Sequence, residues 1–204
     1  MLSCYWLLLF LSAGLWAGCS SPVVVDESLP LPADSIAVSP FPAHLDTALV
    51  YIGVTDRGDN TGVEVDRFLA SVGLDPGYAW CAAFVSYCLD STKVTVTSPT
   101  VRSALARDFK VPGSYIDARI VSRGLEVPAG TIVGWQRGNG PYGHLGFTRK
   151  NWSGPCGFTV EGNTSPPNSG GSEFNGGGVW EKERCIVASN HFRITWFLEV
   201  DYDI

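Results

Sequence analysis

At 204 residues, with 45% hydrophobic and 17% charged side chains, the chain is long enough for one domain with a full core and too short for two. A net charge of −6 and the lack of any Lys/Arg run exclude a surface built to neutralise phosphates, so no nucleic-acid partner is expected. No Cys/His spacing suggests zinc, and neither a metal ion nor another cofactor is called for.

Residues 2–18 are almost wholly apolar, shorter than the roughly 20 residues of a membrane-spanning helix, and lead into Ala17-Gly18-Cys19-Ser20. This reads as an export signal over residues 1–19. Ala17-Gly18-Cys19 resembles the end of a bacterial lipobox, with Cys19 as the acylated residue. Trp16 departs from the usual Leu, and no Lys or Arg precedes Arg57. The expected location is the cell envelope, held to a membrane by a lipid anchor; a plain secretory signal and an uncleaved anchor are the alternatives. Ser20 points to the outer membrane, facing the periplasm, in a Gram-negative host. Residues 20–42 carry five prolines and no helical period, as an extended tether does, and residues 43–204 form the folded domain.

Residues 45–54 have helical apolar spacing and close at Gly53. In the polar loop 55–62, Asp56, Asp59 and Asn60 are oxygen ligands by type. Two carboxylates fall short of a calcium site, and a hydrogen-bonded turn is expected. Residues 63–72 form an amphipathic helix with Val65, Phe68, Leu69 and Val72 on one face. Asp75-Pro76-Gly77 then stops the chain, and an unbroken apolar helix starts at or near Cys81 and runs through Leu89. Free N–H groups and the positive end of the helix dipole favour a thiolate there, which makes Cys81 a candidate nucleophile. A buried core cysteine is the plain alternative.

Ser98 and Pro99 open a short helix through Phe109, striped by Val101, Leu105 and Phe109. Residues 131–135 are the first clear strand. After the Gly-rich turn 138–143, alternation over 144–148 puts His144, Gly146 and Thr148 on one face, and Gly146 leaves room beside the imidazole. The strand 158–163 ends in Glu161 and Asn163, spaced by two and so expected on a common face. Residues 179–188 and 194–200 close one antiparallel sheet that faces the Cys81 helix, giving an α+β fold. The Gly/Ser/Asn loop 164–177 leaves directly from Glu161 and Asn163 and is expected to rim a cleft. Trp80, Trp135, Tyr142 and Trp180 either line that cleft or fill the core.

A thiolate used for acyl transfer needs a base and a group that orients the base. Of the three histidines, His44 precedes the first clear helix and His191 sits in a turn between apolar runs, which leaves His144. Glu161 suits the stabilisation of its imidazolium; solvated strand-end residues are the alternative for Glu161 and Asn163. Cys4 and Cys19 belong to the leader, and Cys88 lies about 10 Å along the helix from Cys81, too far for a disulfide. Cys156 and Cys185 are free to pair in an oxidising envelope, a pairing that spacing alone does not decide.

Trp80-Cys81-Ala82-Ala83-Phe84-Val85, Gly143-His144-Leu145-Gly146 and Glu161-Gly162-Asn163 together resemble the CHAP family, the cysteine, histidine-dependent amidohydrolases/peptidases of the papain-like superfamily. The resemblance covers roughly residues 42 to 200 in the family's order. It implies a papain-like fold, with the nucleophile helix packed on an antiparallel β-sheet. It also implies a monomer that hydrolyses peptidoglycan amide bonds through an acyl-enzyme, as an N-acetylmuramoyl-L-alanine amidase or an endopeptidase. Cys81 would attack, His144 would carry the proton, Glu161 would hold His144 and Asn163 would orient or polarise. Tyr78, Trp80 and Tyr142 are candidates to touch substrate, Tyr78 either as an oxyanion donor or as a turn tyrosine that simply packs on the surface. Asp75 stands where papain-like enzymes often carry a glutamine donor, six residues before the nucleophile, and an ionised carboxylate cannot donate. The alternative is an anchored peptidoglycan-binding module with little or no catalysis.

Overall fold

In the structure, a computed structural model, residues 39–92, 102–140, 142–171, 175–186 and 192–202 are described. The expected leader with Cys19, nearly all of the expected tether, the helix start expected at Ser98-Pro99 and His191 lie outside the described residues.

Helix α3 (Cys81–Ser91) sits at the centre. Ala82, Ala83, Phe84, Val85, Cys88 and Leu89 are all buried, as expected of a helix that is apolar on every side. Helices α1 (Ala43–Val50) and α2 (Val63–Ala70) cover one flank, and the sheet covers the other. In α2, Val65, Phe68 and Leu69 form the buried face that their spacing predicts. Helix α1 stops earlier than expected. Residues 51–53 turn away so that the Gly53 N–H donates to the Val179 carbonyl at 2.9 Å, tying the helix end to the sheet.

The strands are β1 (Ile116–Asp117), β2 (Ile132–Arg137), β3 (Gly143–Thr148), β4 (Cys156–Thr164), β5 (Gly178–Cys185) and β6 (Phe192–Leu198). They form one antiparallel sheet in the order β1-β6-β2-β3-β4-β5. Alternation in the strands sorts side chains to two cores. Ile132, Leu145, Phe147 and Val160 join the helices, whereas Val133, Trp135, Ile194 and Phe197 pack on the other face with Val121 and Trp152. Helix α3 lies close on β4 because Gly162 has no side chain: a Cβ there would come within 2.8 Å of Phe84. Asp117 accepts the Arg119 N–H and so caps the short helix α4 (Ala118–Ser122). Neither β1 nor α4 is expected from the sequence pattern.

The helix expected through Phe109 is not formed over its described part, except as a single 3-10 turn, Ala106–Phe109. Ser103 explains this. Its Oγ accepts the Leu105 N–H and donates to Asp108, and its backbone pairs with Ser86 Oγ on α3, local bonds that replace helical ones. Leu105 is consequently exposed, whereas Phe109 is buried. His44 is buried on α1. Its Nε2 meets the Gly130 carbonyl at 2.7 Å and Nδ1 meets the Tyr202 hydroxyl, so burial pushes its pKa down to about 4 despite the favourable carbonyl bond. Cys156 and Cys185 are opposite each other on β4 and β5 and are joined by a disulfide.

Candidate active site

Cys81 is the first residue of α3, and Trp80 ahead of it makes no side-chain cap bond. The N–H groups at the helix start are thus left for the sulfur. Burial pushes the Cys81 thiol up. The interaction with His144 and the N–H groups of Leu145 and Ala82 outweigh this and hold it below the ordinary thiol value. Cys88, two turns on, meets burial alone and lies well above that value.

His144 is fully buried on β3, with Trp135 at 5.3 Å and Phe192 at 5.8 Å between ring centroids. Its Nε2 lies 2.9 Å from Glu161 Oε2. Nδ1 makes no hydrogen bond, and the Cys81 thiol interacts with the imidazole strongly enough to raise its pKa. Burial lowers the imidazole pKa, but Cys81 and Glu161 together raise it to about 9. Gly146 makes the contact with Glu161 possible. It pairs with Glu161 across the ladder, and a Cβ there would stand 2.8 Å from Glu161 Cγ.

Glu161, itself fully buried, carries four hydrogen bonds. Thr159 Oγ1 donates to Oε1 at 2.5 Å, and Arg184 Nε donates to the same oxygen at 2.7 Å. Arg184 Nη2 donates to Oε2 at 2.6 Å, the oxygen that also meets His144. Burial opposes ionisation, yet Arg184 first and His144 second hold the carboxyl far below the usual range. The arrangement can therefore store a thiolate and an imidazolium side by side, which is what proton transfer from sulfur to nitrogen requires.

The structure brings together Cys81, His144 and Glu161. Asn163 does not join them through any side-chain hydrogen bond. The β4–β5 register shifts between Glu161 and Thr164, and Asn163 takes a left-handed φ of 58°. This bulge breaks the alternation that would carry Asn163 to the Glu161 face, and both polar atoms of its buried amide are without a partner. Trp80 is a core residue, its ring packed near Phe68 and Phe84, and so does not line a cleft. Tyr78 and Tyr142 are exposed, at 56% and 74%.

Loop residues 166–170 wall an open cleft of about 630 Å³ with Phe158 and Glu181 to Arg184 of β5. Asp56 Oδ1 accepts the Gly58 N–H and Asp59 Oδ1 accepts the Thr61 hydroxyl, so both close turns. Among the described residues no three His, Cys, Asp or Glu side chains gather as metal ligands. Thr159 and Arg184 were not singled out in the sequence. A signal for Arg184 existed: pairing Cys156 with Cys185 sets the strand register and puts Arg184 on the side of Thr159 and Glu161.

No family model matches the chain, and no curated protein matches it. Among solved structures, the chain is similar to a wild type endolysin, LysIME-EF1, at 13% identity and a TM-score of 0.43. The likeness covers 75% of this chain, which spans 61% of that protein's length.

Proposed function

We propose that the chain is a papain-like cysteine amidohydrolase of the cell envelope, anchored through Cys19 and acting as a monomer on peptidoglycan peptides. The observation that carries the reading is the buried line Cys81, His144, Glu161, with a lowered thiol at one end and an ionised carboxylate at the other. In this reading the Cys81 thiolate attacks an amide carbonyl, and the N–H groups at the start of α3 face the developing oxyanion. The His144 imidazolium protonates the leaving amine. Neutral His144 then takes a proton from water, which attacks the acyl-enzyme, frees the acid and restores the thiol. Glu161 holds the ring through Nε2 so that Nδ1 faces sulfur. The choice of peptidoglycan, as amidase or endopeptidase, comes from the CHAP resemblance of the three motifs.

Digestion of purified sacculi by the chain and by Cys81→Ala, with fragments identified by mass, tests this. New amino termini are expected with the wild-type chain alone, and their position names the bond. Intact sacculi with both proteins, together with co-sedimentation of the folded chain, would establish the binding module instead.

A further inference from the structure

We propose that Arg184 is a positioning residue of this site, a fixed positive charge that keeps Glu161 directed at His144 and lets the Cys81 and His144 pair separate charge without water. The inference rests on the reading of Cys81 and His144 as nucleophile and base. With thiolate, imidazolium and carboxylate alone, the buried cluster would carry one uncompensated negative charge, and burial penalises it. Arg184 brings the sum to zero. Its guanidinium binds both carboxylate oxygens, at 2.7 and 2.6 Å, a two-point contact that fixes the plane of the carboxylate as well as its charge.

The surroundings fit a positioning role. The Arg184 side chain is 13% exposed and lies 5.8 Å from the ring centroids of both Trp135 and Phe192, the two rings that flank His144. One aromatic pair thus packs against base and clamp together. The backbone beneath it is held by the Cys156 to Cys185 disulfide, one residue from Arg184, on the last strand in the sheet order. Glu161 is faced by His144 from β3, Arg184 from β5 and Thr159 from its own strand, while Cys81 acts on it through His144. Lys182 on β5 is directed elsewhere, to the Ser165 carbonyl at 3.0 Å.

Alkylation of Cys81 by iodoacetamide as a function of pH, mapped by mass on the full chain, reads the thiolate without needing a substrate. In Arg184→Gln the midpoint is expected to rise by about one pH unit, because Glu161 loses the partner that keeps it ionised and aimed at His144, and the imidazolium that favours the thiolate is weakened with it. Arg184→Lys retains the charge but not the two-point contact. Its midpoint is expected at the wild-type position, with sacculus hydrolysis roughly tenfold slower. An unmoved midpoint in Arg184→Gln, or wild-type hydrolysis by Arg184→Lys, overturns the proposal. If Arg184→Gln does not fold, the lysine variant still decides it. A wild-type chain that leaves sacculi intact would remove the hydrolase reading, and the midpoints would still report on the clamp.

Discussion

Cys81 and Cys88 lie on one helix, both buried, and their thiols are driven in opposite directions. His44 on α1 and His144 on β3 repeat the contrast: both rings are out of water, one is held neutral and the other is favoured as a cation. Burial is common to all four groups and disfavours every charge. What separates them is the partner. Cys88 has none that counters burial, and His44 meets a carbonyl and a hydroxyl, whereas His144 meets a carboxylate and a thiol that can ionise. Ionic partners thus mark the candidate site more sharply than depth does.

The contrast is broken most severely at Glu161. In Glu161→Gln the imidazolium loses its counter-charge and His144 should behave as His44 does, so hydrolysis of sacculi is expected to fall about 10³-fold. Activity within tenfold of wild type would show that the carboxylate does not orient the base.

His44 provides an intermediate effect. Between pH 6.5 and about 4 the unfolded chain binds a proton at this position that the folded chain refuses, so stability falls as pH drops through that window. The slope from this group should approach roughly 1.4 kcal/mol per pH unit in urea titrations and be absent in His44→Gln. His144 acts in the other direction. Its contribution is full below pH 6.5 and is lost as pH rises through about 9. An identical acid slope in both proteins would mean that His44 is not held neutral.

The smallest effect is expected at Cys88. Cys88→Ala removes a buried sulfur and should cost about 1–2 kcal/mol of stability while leaving hydrolysis unchanged. Iodoacetamide at neutral pH should label Cys81 and spare Cys88 in the native protein. Equal labelling would erase the distinction between the two ends of α3.

Much of the site was legible because its pieces are local. Pro76 and Gly77 ahead of an unbroken apolar run predict where α3 begins, and alternation over 144–148 and 158–163 predicts strands that carry His144 and Glu161. The absence of a side chain at Gly146 was readable as space beside the imidazole, and Glu161 occupies it. Asn163 shows where such reading stops. A spacing of two implies a common face only while the ladder is regular, and the bulge after Glu161 is a property of β4 pairing with β5.

By itself, then, the sequence determined the α+β class, the order of the main elements and the placing of cysteine, histidine and glutamate at element ends, since these follow from periodicity and turn chemistry within a few residues. Tertiary structure alone decided the Cys156 to Cys185 bond, the burial of His44 and the Arg184 clamp on Glu161. Each depends on the register of segments 23 or more residues apart for the clamp, 29 for the disulfide and 86 for His44 with Gly130, and register over such distances is set by packing rather than by local preference.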